Sequence, residues 1–275
     1  FPYASKYTYP FIYHVSPDGT WLAFDVEVDD QTDTERDVLL VQSSDGEQIM
    51  EFAEDDEKGS WIYGWLDNQW IILLSVSKSE YDVYRLFNPF SGEEKIMPHD
   101  YPDLSVESLD WLTRTVYEPT LSRLVYLKRD SDYNYYITYW DREKNQVIFE
   151  YPTLMSLHMP LWAPDGKSFI FVDETATDYW QDELILSDWD GNLTRLTDFS
   201  GYYDFSKIAR YYWSPDGRYI AILFQTSSSR SFQEGEVTEY LFILNVKTRE
   251  ITDYCVPLSD PWSSLVWSPD SKSIA

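Results

Sequence analysis

The tetrapeptide Ser-Pro-Asp-Gly stands at residues 16–19 and again at 214–217, with near-copies at Ala163-Pro164-Asp165-Gly166 and Ser268-Pro269-Asp270-Ser271. Three of these run into short apolar stretches, Trp21-Leu22-Ala23-Phe24, Phe169-Ile170-Phe171-Val172 and Tyr219-Ile220-Ala221-Ile222. Trp162, Trp213 and Trp267 each stand just before a copy. The tetrapeptide has a conformational logic. Pro presets φ at the first central turn position, Asp bonds its own backbone, and Gly takes the left-handed residue that leaves the turn. A turn-plus-strand unit that recurs in this way dictates a repeat architecture.

The prolines set the period. Pro119, Pro164, Pro215 and Pro269 follow one another at 45, 51 and 54 residues, and Pro17 precedes Pro119 by 102. The long gap holds a degenerate copy in which Trp65-Leu66-Asp67-Asn68 precedes Trp70-Ile71-Ile72-Leu73-Leu74. Pro119 heads a decayed one, with Tyr117 in the Trp place and Leu124-Val125-Tyr126-Leu127 as its strand. This predicts six units, starting near residues 11, 61, 106, 157, 206 and 263, at a period of about 50, within the range of propeller blades. Within a unit, strand A leads through the tetrapeptide into strand B, and a polar loop leads to strand C. A second tight turn then precedes strand D. The second turns are Ser44-Asp45-Gly46, Ser91-Gly92 and Trp189-Asp190-Gly191. Asp-Gly between alternating runs signals a hairpin, and the ordered runs are rich in Val, Ile, Tyr, Phe, Trp and Thr. The expected fold is an all-β propeller of four-stranded antiparallel blades forming one domain over residues 1–275. The Trp before each turn is read as a core residue packed between blades.

Trp-Ser-Pro-Asp-Gly followed by an apolar strand resembles the TolB-type propeller repeat. The pattern is also similar to the propeller domains of prolyl oligopeptidase and dipeptidyl peptidase family proteins. The Pro in each recognisable copy separates it from the sialidase Asp box. The resemblance implies fold over nearly the whole chain, and an exported location: extracellular, periplasmic or cell-surface. It leaves function open, because such folds host many roles.

By register with Tyr219–Ile222, the last residues, Ser273-Ile274-Ala275, fall midway through a strand B. The expectation is an incomplete last blade, a fragment of a longer chain, and an open edge available for pairing with another strand.

The formal net charge is −27, with 21 basic and 48 acidic residues. Such a surface repels a phosphate backbone, so nucleic acid is excluded as a partner. No apolar run reaches the length of a membrane span. The three His (His14, His99, His158) and the single Cys255 lack zinc-ligand spacing, and His14 is read as a satisfied structural residue. There is no Gly-x-Ser-x-Gly elbow, P-loop or dinucleotide glycine pattern, so no catalytic residue and no cofactor are assigned. Asp29, Asp30 and Asp33 are weak cation-ligand candidates in an acidic run without EF-hand spacing; a solvated loop is the plainer reading. Asp182, Glu183 and Asp178 could serve as acid and base only by converging in a pocket.

Blade connectivity places the A–B and C–D turns at one end of each sheet and the B–C and D–A loops at the other. The latter are longer and more variable, and loops on a rigid scaffold tend to carry function. They hold Tyr133, Tyr135, Tyr179, Trp180, Phe199, Tyr202, Tyr203, Tyr254 and Trp262 beside Asp29, Asp30, Asp178 and Asp204. The candidate binding face consists of Tyr133, Tyr179, Trp180, Tyr202, Tyr203, Trp262 and Asp178. Rings beside carboxylates suit a peptide, a sugar or a cation. The first reading is a non-enzymatic scaffold for a protein or peptide. The alternatives are the gating propeller of a serine peptidase whose hydrolase domain lies outside this chain, and a carbohydrate-active propeller.

Overall fold

The computed structural model describes residues 7–8, 13–28, 36–53, 59–76, 83–96, 115–154, 159–174, 181–203, 206–227, 237–254 and 265–274. The chain forms two compact units, Phe1–His99 and Asp100–Ala275.

The first unit holds two antiparallel sheets. In one, β1 (Tyr7–Thr8) and β2 (Tyr13–Val15) both pair with β3 (Trp21–Val28), followed by β4 (Arg36–Ser43) and β5 (Ile49–Ala53). Strand A of this blade is therefore in two pieces along one neighbour, Tyr7 opposite Val28 and Tyr13 opposite Phe24. The other sheet runs in chain order through β6 (Gly59–Trp65), β7 (Ile71–Val76), β8 (Val83–Asn88) and β9 (Glu93–Ile96).

The second unit holds three four-stranded sheets, each in chain order. They are β10 (Thr115–Tyr117) to β13 (Gln146–Thr153) through β11 (Arg123–Arg129) and β12 (Tyr135–Asp141); β14 (Leu161–Trp162) to β17 (Leu193–Arg195) through β15 (Ser168–Asp173) and β16 (Glu183–Asp188); and β18 (Lys207–Trp213) to β21 (Ile251–Asp253) through β19 (Tyr219–Ser227) and β20 (Val237–Asn245). Side-chain alternation divides the core. On β15, Phe169 and Phe171 pack with Val125, Ile137 and Tyr139 of the preceding blade. Ile170 and Val172 pack with Ile208, Ile220, Ile222 and Phe224 of the following one. A strand buried on both faces reads as the continuous apolar run seen in the sequence.

These sheets are propeller blades, and the described residues form five, not six with an incomplete last one. The sixth turn forms, with the Ser271 N–H donating to the Ser268 carbonyl at 2.9 Å, but it carries only the bridge between Trp267 and Ile274. Only Lys272–Ile274 follow it among the described residues, too few for a sheet. Instead Leu265, Trp267 and Ile274 pack on Ala221 and Leu223 of the fifth blade. β13 continues through Thr153 and β19 through Ser227.

The Ser-Pro-Asp-Gly turn is closed by its own side chains. Ser214 Oγ donates to Asp216 Oδ1 at 2.8 Å and accepts the Tyr219 N–H at 2.9 Å, while the Arg218 N–H donates to Asp216 Oδ1 at 3.0 Å. Residues 16–21 repeat the pattern, as does the turn at Ser43-Ser44-Asp45-Gly46, which lacks Pro. In the decayed copy one buried carboxylate replaces both groups: Glu118 accepts the N–H of Thr120 at 2.8 Å and of Ser122 at 2.6 Å.

The tryptophans have a second task besides packing. Each indole N–H donates to a strand-A carbonyl one blade earlier: Trp65 to His14 at 3.1 Å, Trp162 to Val116 at 3.3 Å, Trp213 to Leu161 at 3.1 Å and Trp267 to Tyr212 at 3.2 Å. The repeat thus supplies its own blade-to-blade tie.

Candidate binding face

Within each unit the two ends of the blades differ in kind. The A–B and C–D turns are short and internally satisfied, as described above. The B–C and D–A connections leave from the opposite end, and two acidic anchors secure the backbone there. Strands β6 and β18 carry register shifts at Ile62/Gly64 and Ile208/Arg210, and a bulge leaves a backbone group without a ladder partner. In the first unit Asp25 Oδ2 accepts the Ile62 N–H at 3.0 Å, and in the second Asp182 Oδ2 accepts that of Ile208 at 2.9 Å.

Asp182 and Glu183 do not form an acid–base pair. As neighbours in extended chain they enter separate networks. Asp182 also accepts Lys207 Nζ at 2.7 Å; burial raises its carboxyl pKa, opposed by the lysine and the Ile208 N–H. Glu183, fully buried, accepts Arg195 Nη2 at 2.6 Å, Thr197 Oγ1 at 2.6 Å, and the N–H groups of Ser200 at 2.8 Å and Phe199 at 3.0 Å. Burial pushes its pKa up, but these donors outweigh burial and hold it below the ordinary carboxylate value. Both carboxylates shape the D–A connection of the fourth blade. Among the described residues no cluster of three or more His, Cys, Asp or Glu could hold a metal ion.

The aromatic candidates separate by exposure. Tyr133 (70 %), Tyr202 (82 %) and Tyr254 (55 %) stand out into solvent. Phe199 is buried in the core, and Tyr203 packs against Phe199 and Phe224, with ring centroids 6.5 and 5.1 Å away. Tyr135 is half-buried at the start of β12. Tyr179, Trp180, Trp262 and Asp178, with Asp29, Asp30 and Asp33, lie outside the described residues.

Tyr133 is one of five described non-glycine residues at positive φ, with Leu121, Asn145, Arg249 and Ser271. Asp130 accepts the Asp132 and Asn134 N–H groups, each at 2.9 Å, and Asn134 Nδ2 at 3.0 Å. Asp188 does the same with Asp190 and Asn192 in the turn Asp188-Trp189-Asp190-Gly191-Asn192. In these matched turns Tyr133 occupies the place of Gly191, with φ of +66° and +84°. A bulky residue in the left-handed region is strained, and such outliers cluster at functional sites. The Arg129 guanidinium lies over the Tyr133 ring, 5.0 Å from its centroid. The recurring Asp-x-x-x-Asn spacing is the signal that could have marked this turn in the sequence.

No protein-family profile matches the sequence, and no curated protein matches it. Solved structures do. TolB from Acinetobacter baumannii superposes with a TM-score of 0.58 at 20% identity, covering 94% of this chain and 58% of that one. The putative TolB from Agrobacterium tumefaciens gives 0.51 at 15% identity, covering 94% and 86%. The fold is that of the TolB-type propellers. Acylaminoacyl peptidase from Pyrococcus horikoshii is a more distant neighbour, with a TM-score of 0.49 at 11% identity, covering 90% of this chain and 39% of that one. At these identities the TolB-type likeness is one of fold. Among the described residues no helix is long and apolar enough to cross a membrane.

Proposed function

We propose that this chain is a non-enzymatic binding scaffold, exported from the cytoplasm, that takes a protein or peptide partner on the B–C/D–A loops of its second unit. The observation that carries the reading is Tyr133. This ring is largely exposed, and it stands in a left-handed position that the matched turn fills with Gly191. Folding alone favours glycine there. Tyr202 and Tyr254 leave their sheets at the same end. Tyrosine provides a large, stiff contact surface with a polar tip, the side-chain type that dominates binding hot spots.

The test is a random-peptide display selection against the native protein. Selected peptides should lose binding to a Tyr133→Gly/Tyr202→Ala variant and keep it for a Glu143→Gln/Asp190→Asn variant altered at the opposite end. Peptides that bind both variants equally well would refute this face.

A further inference from the structure

We infer that the partner segment held by the tyrosine face is cationic: an extended peptide stretch bearing Arg and Lys. This rests on the reading of that face as the binding surface and adds the chemistry of its occupant.

Near this end of the second unit, each described basic side chain is already engaged. Lys128 bonds Glu150 at 2.6 Å, Arg195 bonds Glu183 at 2.6 Å and Lys207 bonds Asp182 at 2.7 Å. Arg129 lies over Tyr133. Asp132 and Asp253 are exposed at the same end, next to Tyr133 and Tyr254 in the chain; Asp198, four residues before Tyr202, is exposed too and shares Arg195 with Glu183, at 3.4 Å. The opposite end is mixed: Arg142, Lys144, Lys167, Arg218, Lys247 and Arg249 punctuate its turns. An excess of carboxylates beside aromatic faces attracts cations twice over, by Coulomb attraction and through the ring quadrupole. The contact between Arg129 and Tyr133 shows that a guanidinium fits such a ring here. The net charge of −27 adds long-range steering of a positive segment.

The experiment uses fluorescein-labelled peptides of one length: Arg/Lys-Gly, Glu-Gly and Ser-Gly. Binding to the native protein is read by anisotropy at low and high NaCl. The Arg/Lys peptide should bind, weaken as salt is raised, and lose about tenfold in affinity for Tyr133→Gly/Tyr202→Ala/Tyr254→Ala. Glu143→Gln/Asp190→Asn should bind it as the native protein does. Melting curves confirm that the variants are folded, and Tyr133→Gly alone, which relieves the left-handed position, supplies a second folded variant. Equal binding to the tyrosine variants would reduce the attraction to diffuse charge and overturn the proposal. Tyrosine-dependent binding of the Ser or Glu peptide, with none of the Arg/Lys peptide, would overturn the cationic partner and leave the binding face standing. Failure of all three peptides would count against both.

Discussion

His14 sits on β2 with its Nε2 unpartnered and its pKa pushed down to about 4, because burial lowers it more than a hydrogen bond to the Ile62 backbone raises it. The expected satisfied structural histidine is thus only half satisfied. The sign of its effect follows from linkage. The folded pKa lies below the unfolded 6.5, so stability is full above pH 6.5 and is lost as pH falls toward 4. At about 1.4 kcal/mol per pKa unit, the loss approaches 3 kcal/mol. Urea midpoints of the native protein should therefore fall between pH 7 and pH 4.5, and His14→Gln should flatten that slope; an unchanged slope would show that another group carries it. Ser271 gives a second prediction at this scale. It stands at φ +58°, where other copies have Gly, and its Oγ accepts the Asp216 N–H at 3.1 Å from the preceding blade's turn. Ser271→Ala keeps the strain and frees the N–H, costing about 1 kcal/mol or more. Ser271→Gly removes both, so its loss in denaturant titration should be the smaller.

Blade geometry is carried by turns that touch one another. At Gly166, with φ +67°, an added Cβ would come within 2.9 Å of Pro119 Cδ in the preceding blade's turn. Gly166→Ala should thus meet both left-handed strain and a clash, and cost about 2 kcal/mol, measured by chemical denaturation. Trp213→Phe tests the tie between strands. It retains most of the ring but strands the Leu161 carbonyl, an expected loss of about 1–3 kcal/mol. Much at this scale could be read from the sequence. Ser16, Pro17, Asp18 and Gly19 encode their turn locally, and Phe169–Val172 announce a strand buried on both faces. What could not be read depends on partners distant in the chain. Nothing local in the sequence ties Asp25 to Ile62 or Asp182 to Ile208, whose N–H groups they accept. Glu118 looks like a lost Ser-Pro-Asp-Gly serine, yet its longer carboxylate rebuilds the same bonds. Phe199 and Tyr203 could not be told from Tyr202 by residue type; only burial distinguishes core rings from presented ones.

Over the whole molecule the net charge of −27 opposes compaction, since folding brings like charges closer than they lie in the unfolded chain. Salt screens exposed charges over about 8 Å at physiological ionic strength and buried pairs much less. The pairs Asp182–Lys207 and Glu183–Arg195 each keep a fully buried carboxylate, whereas Lys95–Glu93 and Lys272–Asp270 are exposed and worth little. Added salt therefore removes mainly repulsion. Raising NaCl from about 10 to about 500 mM should raise Tm by roughly 2–5 °C, given that 1 kcal/mol moves a domain of this size by a few degrees. A flat or falling Tm would mean that local pairs outweigh the summed field. The same series separates the two pH effects. Mild acid neutralises some carboxylates and relieves repulsion, which stabilises the fold, while it charges His14 and destabilises it. At high salt the first effect is screened and the second, being buried, is not. The drop in stability from pH 7 to pH 4.5 should accordingly be steeper at high salt than at low salt, and His14→Gln should shrink the drop by the same amount at both salt concentrations, leaving that difference in place.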